Sequence, residues 1–313
     1  MSDFAITFPG QGSQSVGMLA DLASSFPLVR ETFQEASDVL DLDLWRLSQE
    51  GPAEELNQTI NTQPAMLAAG VSVWRVWVAA GGPAPKVMAG HSLGEYSALV
   101  AAGAIAFTDA MRLVRERGSL MQQAVPQGQG AMAAILGLAD QQVVSVCEQA
   151  AQGEVAEAVN FNSPGQVVIA GHASAIGRAV ELAKDAGAKR ALVLDVSVPS
   201  HCALMRTAAD ELFEVMRSVE VKMPEVPVLH NVNVAGAKSA GAIRDLLRQQ
   251  LFSPVRWVET VQAMAAEDGV SVLLEAGPGK VLTGLSKRID KSLTGLAVFD
   301  GPSLAKALES VNG

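Results

Sequence analysis

Residues 90–94 read Gly90-His91-Ser92-Leu93-Gly94, the G-x-S-x-G spacing that places a serine on a sharp turn between a strand and a helix. The context agrees: the short apolar run Lys86-Val87-Met88-Ala89 leads in, and a helical pattern from Leu93 to Ala102 leads out. Glycines on either side let the strand and helix approach closely. The serine hydroxyl then stands at a helix N-terminus, where free backbone N–H groups can hold an oxyanion. That is the equipment for nucleophilic attack on an acyl carbon, and a serine used this way needs a base. Four histidines are available. His91 adjoins Ser92 and should point elsewhere, and His172 follows Gly171 in a segment where it reads as structural. His201, in Val198-Pro199-Ser200-His201, lies between a strand and a helix, at the edge where open α/β sheets place their ligands. It is the first candidate base, and His230, at the end of another strand, is the second.

Arg117 is the third residue with chemical content. Stepping 100° per residue from Asp109 to Val125 puts Ala110, Leu113, Val114, Leu120 and Met121 on one half of a helix, and Arg117 falls near the centre of that half. A guanidinium on an apolar face requires an anion. An internal Asp or Glu would serve; so would a substrate carboxylate, which arginine holds through two parallel hydrogen bonds.

Other motifs carry less. Gly10-Gln11-Gly12-Ser13-Gln14 follows a strand but lacks the third glycine and the downstream acid of a dinucleotide loop. Gly277-Pro278-Gly279-Lys280 lacks the upstream glycine and the Ser/Thr of a phosphate loop. Cys147 and Cys202 are far apart, with Cys202 read as a small buried residue, and no spacing fits a metal.

The elements that must position these residues alternate. Ala5-Ile6-Thr7-Phe8 reads as a buried strand stopped by Pro9-Gly10, helical patterns follow to Ala80, and Lys86–Ala89 is a second strand, an order that argues for a parallel sheet covered on both faces. The middle differs. Strands are expected at Ala131–Leu136, Val155–Phe161, Gln166–Ala170 and Ala191–Val196, with helices at Ala139–Ala151 and Ala173–Ala186. This is the β-α-β-β-α-β order of a ferredoxin-like unit. Beyond it come a helix at Cys202–Ser218, a strand at Val226–Asn231, a helix at Ile243–Gln250 and a strand at Val270–Glu275. The fold expected is α/β: a large hydrolase-like domain, residues 1–127 and 197–313, with an inserted ferredoxin-like domain, residues 128–196.

Composition sets bounds. The chain has 313 residues, 49% hydrophobic and 18% charged, ample for a large core. A net charge of −10 with a single tyrosine disfavours nucleic acid and anionic membrane as partners. The apolar stretch from Pro64 to Ala80 is interrupted by Arg75, and Met1-Ser2-Asp3-Phe4 has no signal-peptide pattern, so a cytoplasmic, membrane-free protein is expected.

Taken in order, Phe8-Pro9-Gly10-Gln11-Gly12-Ser13-Gln14, Gly90-His91-Ser92-Leu93-Gly94-Glu95-Tyr96, Arg117, Val198-Pro199-Ser200-His201 and Glu275-Ala276-Gly277-Pro278-Gly279-Lys280 closely resemble the malonyl-CoA:acyl carrier protein transacylase family of bacterial fatty-acid synthesis, over nearly the whole chain. The resemblance implies Ser92 as nucleophile and His201 as general base and acid, in a dyad whose imidazole is oriented by a backbone carbonyl near Gln250. It implies an oxyanion hole from the N–H groups of Gln11 and Leu93, and Arg117 as the holder of the malonyl carboxylate. The substrate would be a coenzyme A thioester, malonyl-CoA, the acceptor holo acyl carrier protein, with no permanently bound cofactor and no metal. Basic clustering alone nominates Lys189, Arg190, Lys280, Lys287 and Arg288 for coenzyme A or carrier binding. Competing expectations are a serine hydrolase or thioesterase on the same elbow, and a malonyl or methylmalonyl transacylase serving a polyketide or malonate decarboxylase pathway.

Overall fold

Apolar runs too short for helices make the strands of the larger sheet. The computed structural model describes residues 3–196 and 198–312. The strands are β1 (Phe4–Phe8), β2 (Val87–Gly90), β3 (Gly130–Leu136), β4 (Ala156–Ser163), β5 (Gln166–His172), β6 (Arg190–Val193), β7 (Val228–Leu229), β8 (Val272–Ala276) and β9 (Thr294–Val298). They form a five-stranded sheet, β7-β2-β1-β8-β9, and a four-stranded sheet, β4-β5-β3-β6.

The five-stranded sheet is parallel in every pairing. β1, β2 and β8 are buried along their whole length, as strands covered by helices on both faces must be. Alternate residues of β1 face opposite ways. Phe4, Ile6 and Phe8 enter the main core with the helices Thr59–Ala79 and Phe107–Ala124, while Ala5 joins a second core with Trp257, Val261 and Leu285. Parallel pairing also brings chain ends together. Phe8 lies opposite Gly90, so the segments leaving β1 and β2 emerge side by side on one edge, and that edge carries Gln11 and Ser92.

The four-stranded sheet is antiparallel throughout. Numbered 1 to 4 along the chain, its strands lie in the order 4-1-3-2 across the sheet, the ferredoxin-like arrangement expected. One face, through Ala133, Ile135, Val167 and Ile169, packs on the helices Asp140–Ala151 and Ala173–Asp185. The other, through Met132, Val159 and Val168, packs toward Cys202. A backbone seam joins the strand to the rest of the chain: Phe161 N–H donates to Val255 O at 3.0 Å, and Val255 N–H to Val159 O at 2.8 Å.

Three elements differ most in extent from the sequence expectation, the others by no more than a few residues. β6 ends at Val193: Leu194 N–H still donates to Met132 O of β3 at 2.8 Å, but Val196 N–H turns back to Leu194 O at 2.9 Å, and both residues line a cavity. β7 is two residues long, because His230 and Asn231 turn away to meet Glu95. The segment expected as a helix from Cys202 begins as a single 3₁₀ turn, Ala203–Met205, before the helix Arg206–Met216. The helices Trp257–Ala266, Val281–Ile289 and Gly301–Asn312 and the edge strand β9 were not foreseen. Met1, Ser197 and Gly313, which bound the expected domains, lie outside the described residues.

Candidate active site

The turn after β2 is built by close approach. A Cβ at Gly90 would stand 1.8 Å from Gly94 C, and one at Gly94 would stand 2.0 Å from Phe8 O, so neither position admits a side chain. Between them Ser92 has φ +52°, the left-handed conformation that presents its hydroxyl outward. Asn231 clamps the turn: its Oδ1 accepts the Ser92 N–H at 2.7 Å and its Nδ2 donates to Gly90 O at 2.6 Å. Gly10 carries the loop after β1 against the same turn, where a Cβ would meet His91 O at 2.5 Å. The N–H groups of Gln11 and Leu93, both at the cavity wall, have no acceptor among the described residues.

His201 also sits at a positive φ, +66°, pinned by its own N–H to Leu251 O at 2.9 Å. Its Nδ1 lies 2.7 Å from the Gln250 carbonyl, which can only accept, so Nδ1 carries the proton. Nε2 is therefore the bare nitrogen, and it lies 2.7 Å from Ser92 Oγ, placed to accept the hydroxyl proton. Burial, followed by the positive charge of Arg117, pushes the His201 pKa down to about 3, which keeps the ring neutral at neutral pH.

Arg117 is buried to 1% exposure on the helix Phe107–Ala124. Its Nη2 donates to Gln250 Oε1 at 3.1 Å and reaches Ser92 Oγ at 3.5 Å, while Nε has no partner. Its guanidinium carbon stands 5.5 Å from the centre of the Tyr96 ring. No carboxylate forms an ion pair with it among the described residues, so the internal acid that the sequence left open as its partner is not in contact. These side chains surround a cavity of about 220 Å³ whose other wall comes from the four-stranded sheet, including Met132, Asn160, Asn162 and Val168. Ser92, His201, Arg117, Gln11 and Leu93 all line it, and the Gln250 carbonyl holds the imidazole from behind.

An acyltransferase profile and full-length relatives accord with this arrangement. The acyl transferase domain profile matches residues 6–299. The malonyl CoA-acyl carrier protein transacylase of Escherichia coli K12 is 59% identical over 309 residues, covering 99% of this chain and 100% of that protein. The chain belongs to the malonyl-CoA:acyl carrier protein transacylase family. Among solved members, an acyl carrier protein S-malonyltransferase from Vibrio cholerae superposes with a TM-score of 0.95 at 60% identity, covering 98% of this chain and all of that one. A malonyl-transacylase solved in complex with a type II PKS acyl-carrier protein gives 0.97 at 60% identity, over 99% and 100% of the two chains. The chain is thus an acyltransferase with the two-sheet α/β fold of that family.

The remaining expected residues are distributed as follows. Leu136 of β3 pairs with Gln166 on one side and Arg190 on the other, and Arg288 Nη1 donates to Gln166 Oε1 at 2.9 Å. Lys189, Arg190 and Arg288 are therefore exposed at one end of the small sheet, next to a cavity-lining residue. Lys280 precedes the helix Val281–Ile289, whose Val281, Leu282 and Leu285 line the cavity, and Lys287 lies in its last turn. His91 turns its Nε2 to Asn162 Oδ1 at 2.8 Å, away from the serine. His172 accepts the Val155 N–H at 2.9 Å, a structural contact. His230 meets Glu95 rather than Ser92. Cys202 is buried, its thiol pushed up to about 12 by burial and its Sγ donating to Pro199 O at 3.2 Å. Asn231 and Glu95 receive no role from the sequence, although Glu95 directly follows the G-x-S-x-G motif and Asn231 directly follows the second candidate histidine.

Proposed function

We propose that this enzyme transfers the malonyl group from malonyl-CoA to the phosphopantetheine thiol of acyl carrier protein through a malonyl-Ser92 intermediate, supplying fatty-acid chain elongation. The observation that supports this best is Arg117: a buried guanidinium without a carboxylate partner, within 3.5 Å of the nucleophile oxygen. In malonyl the two carbonyl carbons are separated by one CH₂ and lie about 2.5 Å apart, so an acyl group on Ser92 places its carboxylate beside the arginine. Acetyl would leave the guanidinium unpaired, and a longer diacid would overshoot it.

The steps follow from the geometry. His201 Nε2 takes the Ser92 proton as Oγ attacks the thioester carbonyl, and the N–H groups of Gln11 and Leu93 receive the oxyanion. The tetrahedral adduct collapses, coenzyme A leaves as the thiol with the proton held by His201, and malonyl remains on Ser92. The carrier thiol then gives its proton to His201, attacks the ester, and departs as the malonyl thioester while Ser92 recovers its proton. The Gln250 carbonyl stabilises the imidazolium of both half-reactions as well as orienting the ring. The protein's own side chains supply this chemistry, with the coenzyme A thioester as substrate and no resident cofactor or metal assigned a role. Lys189, Arg190, Lys280, Lys287 and Arg288 form the cationic approach for coenzyme A phosphates and an acidic carrier.

Residues 1–127 and 197–313 act as one catalytic domain and 128–196 as its insert, since every strand of the parallel sheet falls outside the insert and every strand of the antiparallel sheet within it. Malonyl-CoA and carrier protein as substrates support a cytoplasmic reaction; no helix among the described residues is long and apolar enough to cross a membrane.

The test is intact-protein mass after brief mixing with malonyl-CoA, with Ser92→Ala in parallel. One malonyl adduct on the wild type alone, discharged faster by holo carrier protein than by water, is expected. An adduct on Ser92→Ala overturns the nucleophile, and discharge at equal rates by water and carrier moves the function to hydrolysis.

A further inference from the structure

The Ser92–His201–Arg117 chemistry makes no use of Glu95, yet Glu95 is the most elaborately held side chain near it. It lies in the first turn of the helix Gly94–Ala101 with 0% exposure. Its Oε2 accepts two hydrogen bonds, from Asn231 N–H at 3.0 Å and from Gln250 Nε2 at 2.9 Å, and its Oε1 is 2.7 Å from His230 Nδ1. The Gln250 carboxamide is fixed by what surrounds it. Arg117 can only donate, so the atom facing it is oxygen; Glu95 and the Ser92 carbonyl can only accept there, so the atom facing them is the NH₂. The carboxamide therefore spans from the Glu95 carboxyl and the Ser92 carbonyl on one side to the Arg117 guanidinium on the other.

Gln250 meets the two halves of the site by different atoms. Its main-chain carbonyl, at the end of the helix Ala240–Gln250, orients His201, whereas its side chain touches Arg117. Loss of Glu95 leaves the carboxamide NH₂ held by the Ser92 carbonyl alone, at 3.0 Å, and so loosens the side chain without freeing the helix backbone. Arg117, with Nε unpartnered, lies over the Tyr96 ring and donates, among the described residues, to this side chain and the serine oxygen, so it would lose part of its aim while His201 kept its own.

We propose that Glu95 is a positioning residue: through the Gln250 carboxamide it aims the Arg117 guanidinium, and so sets the preference for a carboxylated acyl group without taking part in acyl transfer. This rests on the reading of Arg117 as the carboxylate holder. The experiment compares rates of acyl-enzyme formation from malonyl-CoA and acetyl-CoA on the same preparation, by rapid-quench intact mass, for wild type, Glu95→Ala, Glu95→Gln and Arg117→Ala. The ratio of the two rates is the readout, since partial unfolding lowers both alike. Glu95→Ala should lower the malonyl-to-acetyl ratio by about tenfold or more, the weight of one hydrogen bond to a charged group. Glu95→Gln, which keeps an oxygen for Asn231 and Gln250, should restore most of it. Where Glu95→Ala does not fold, Glu95→Asp serves in its place, its shorter carboxylate being withdrawn from Gln250. An unchanged ratio in the truncated variant overturns the proposal, whether both rates persist or both fall, as does failure of Glu95→Gln to restore the ratio. Arg117→Ala separates the two layers. If its ratio collapses while that of Glu95→Ala does not, only the role of Glu95 falls; if neither changes, the carboxylate reading of Arg117 falls first.

Discussion

Ser92 and His201 are each held at a positive φ, and each by a hydrogen bond from its own backbone N–H, to Asn231 and to Leu251. Positive φ is therefore fixed at the two residues whose side chains meet, Oγ to Nε2, at 2.7 Å. With the His201 pKa pushed down to about 3, the base form prevails throughout the neutral range. The acylation rate constant should accordingly vary by less than about threefold between about pH 5.5 and 8, without the inflection near 6.5 of an ordinary histidine; stopped-flow acylation across that range checks it. Stability carries the opposite face of the same shift. Between about 3 and 6.5 the unfolded chain binds a proton at His201 that the folded chain does not, so stability is full above 6.5 and declines as pH falls through that window. Replacing His201 with Gln should flatten the dependence of unfolding free energy on pH by up to about 1.4 kcal/mol per pH unit in the window, read from urea midpoints. At this scale the sequence was informative wherever chemistry demands a residue type. Ser92, His201 and Arg117 stood out because a nucleophile, a base and a cation on an apolar face are conspicuous. Asn231 and Glu95 did not, because a buried carboxamide or carboxylate declares itself only through partners that are far off in sequence.

Elements position these residues by how closely they pack, and the elbow is the tightest place in the fold. Gly94→Ala would drive a Cβ into the Phe8 carbonyl, backbone on backbone, and should cost about 3 kcal/mol, the upper range for overpacking, while also slowing acylation. Gly177, in the middle of the helix Ala173–Asp185, has nothing within 4 Å of the corresponding position. Gly177→Ala should raise stability by about 0.5–1 kcal/mol with activity unchanged. Paired urea denaturation curves distinguish the two. Strands whose apolar run is buried on both faces, such as β1 and β8, were legible because no other element suits that pattern. β7 was read too long: Val226–Asn231 has strand-forming residues, but His230 and Asn231 have better partners in Glu95 than in a neighbouring strand. The last helices and β9 were missed because their amphipathic patterns are short and carry no motif to draw the eye.

Taken whole, the molecule is an acidic body, net −10, with exposed Arg288 bonded to cavity-lining Gln166 and exposed Lys280 adjoining cavity-lining Val281. Exchanging Lys189, Arg190 and Arg288 together for Glu should raise the KM for holo carrier protein by about tenfold at low salt and less at high salt, measured as discharge of pre-formed acyl-enzyme. Unchanged kinetics would reject the patch. The β-α-β-β-α-β order made the second sheet legible from sequence, but its placement over Ser92 was not, since that depends on the seam between Phe161 and Val255. The cavity has two authors. The serine, histidine and arginine stand on elements outside residues 128–196, and the facing wall of Met132, Asn160, Asn162 and Val168 comes from the antiparallel sheet. A change in that wall alters the room beside Ser92 while Ser92, His201 and Arg117 keep their own contacts, so the size of the group admitted and the recognition of its carboxylate can be varied apart.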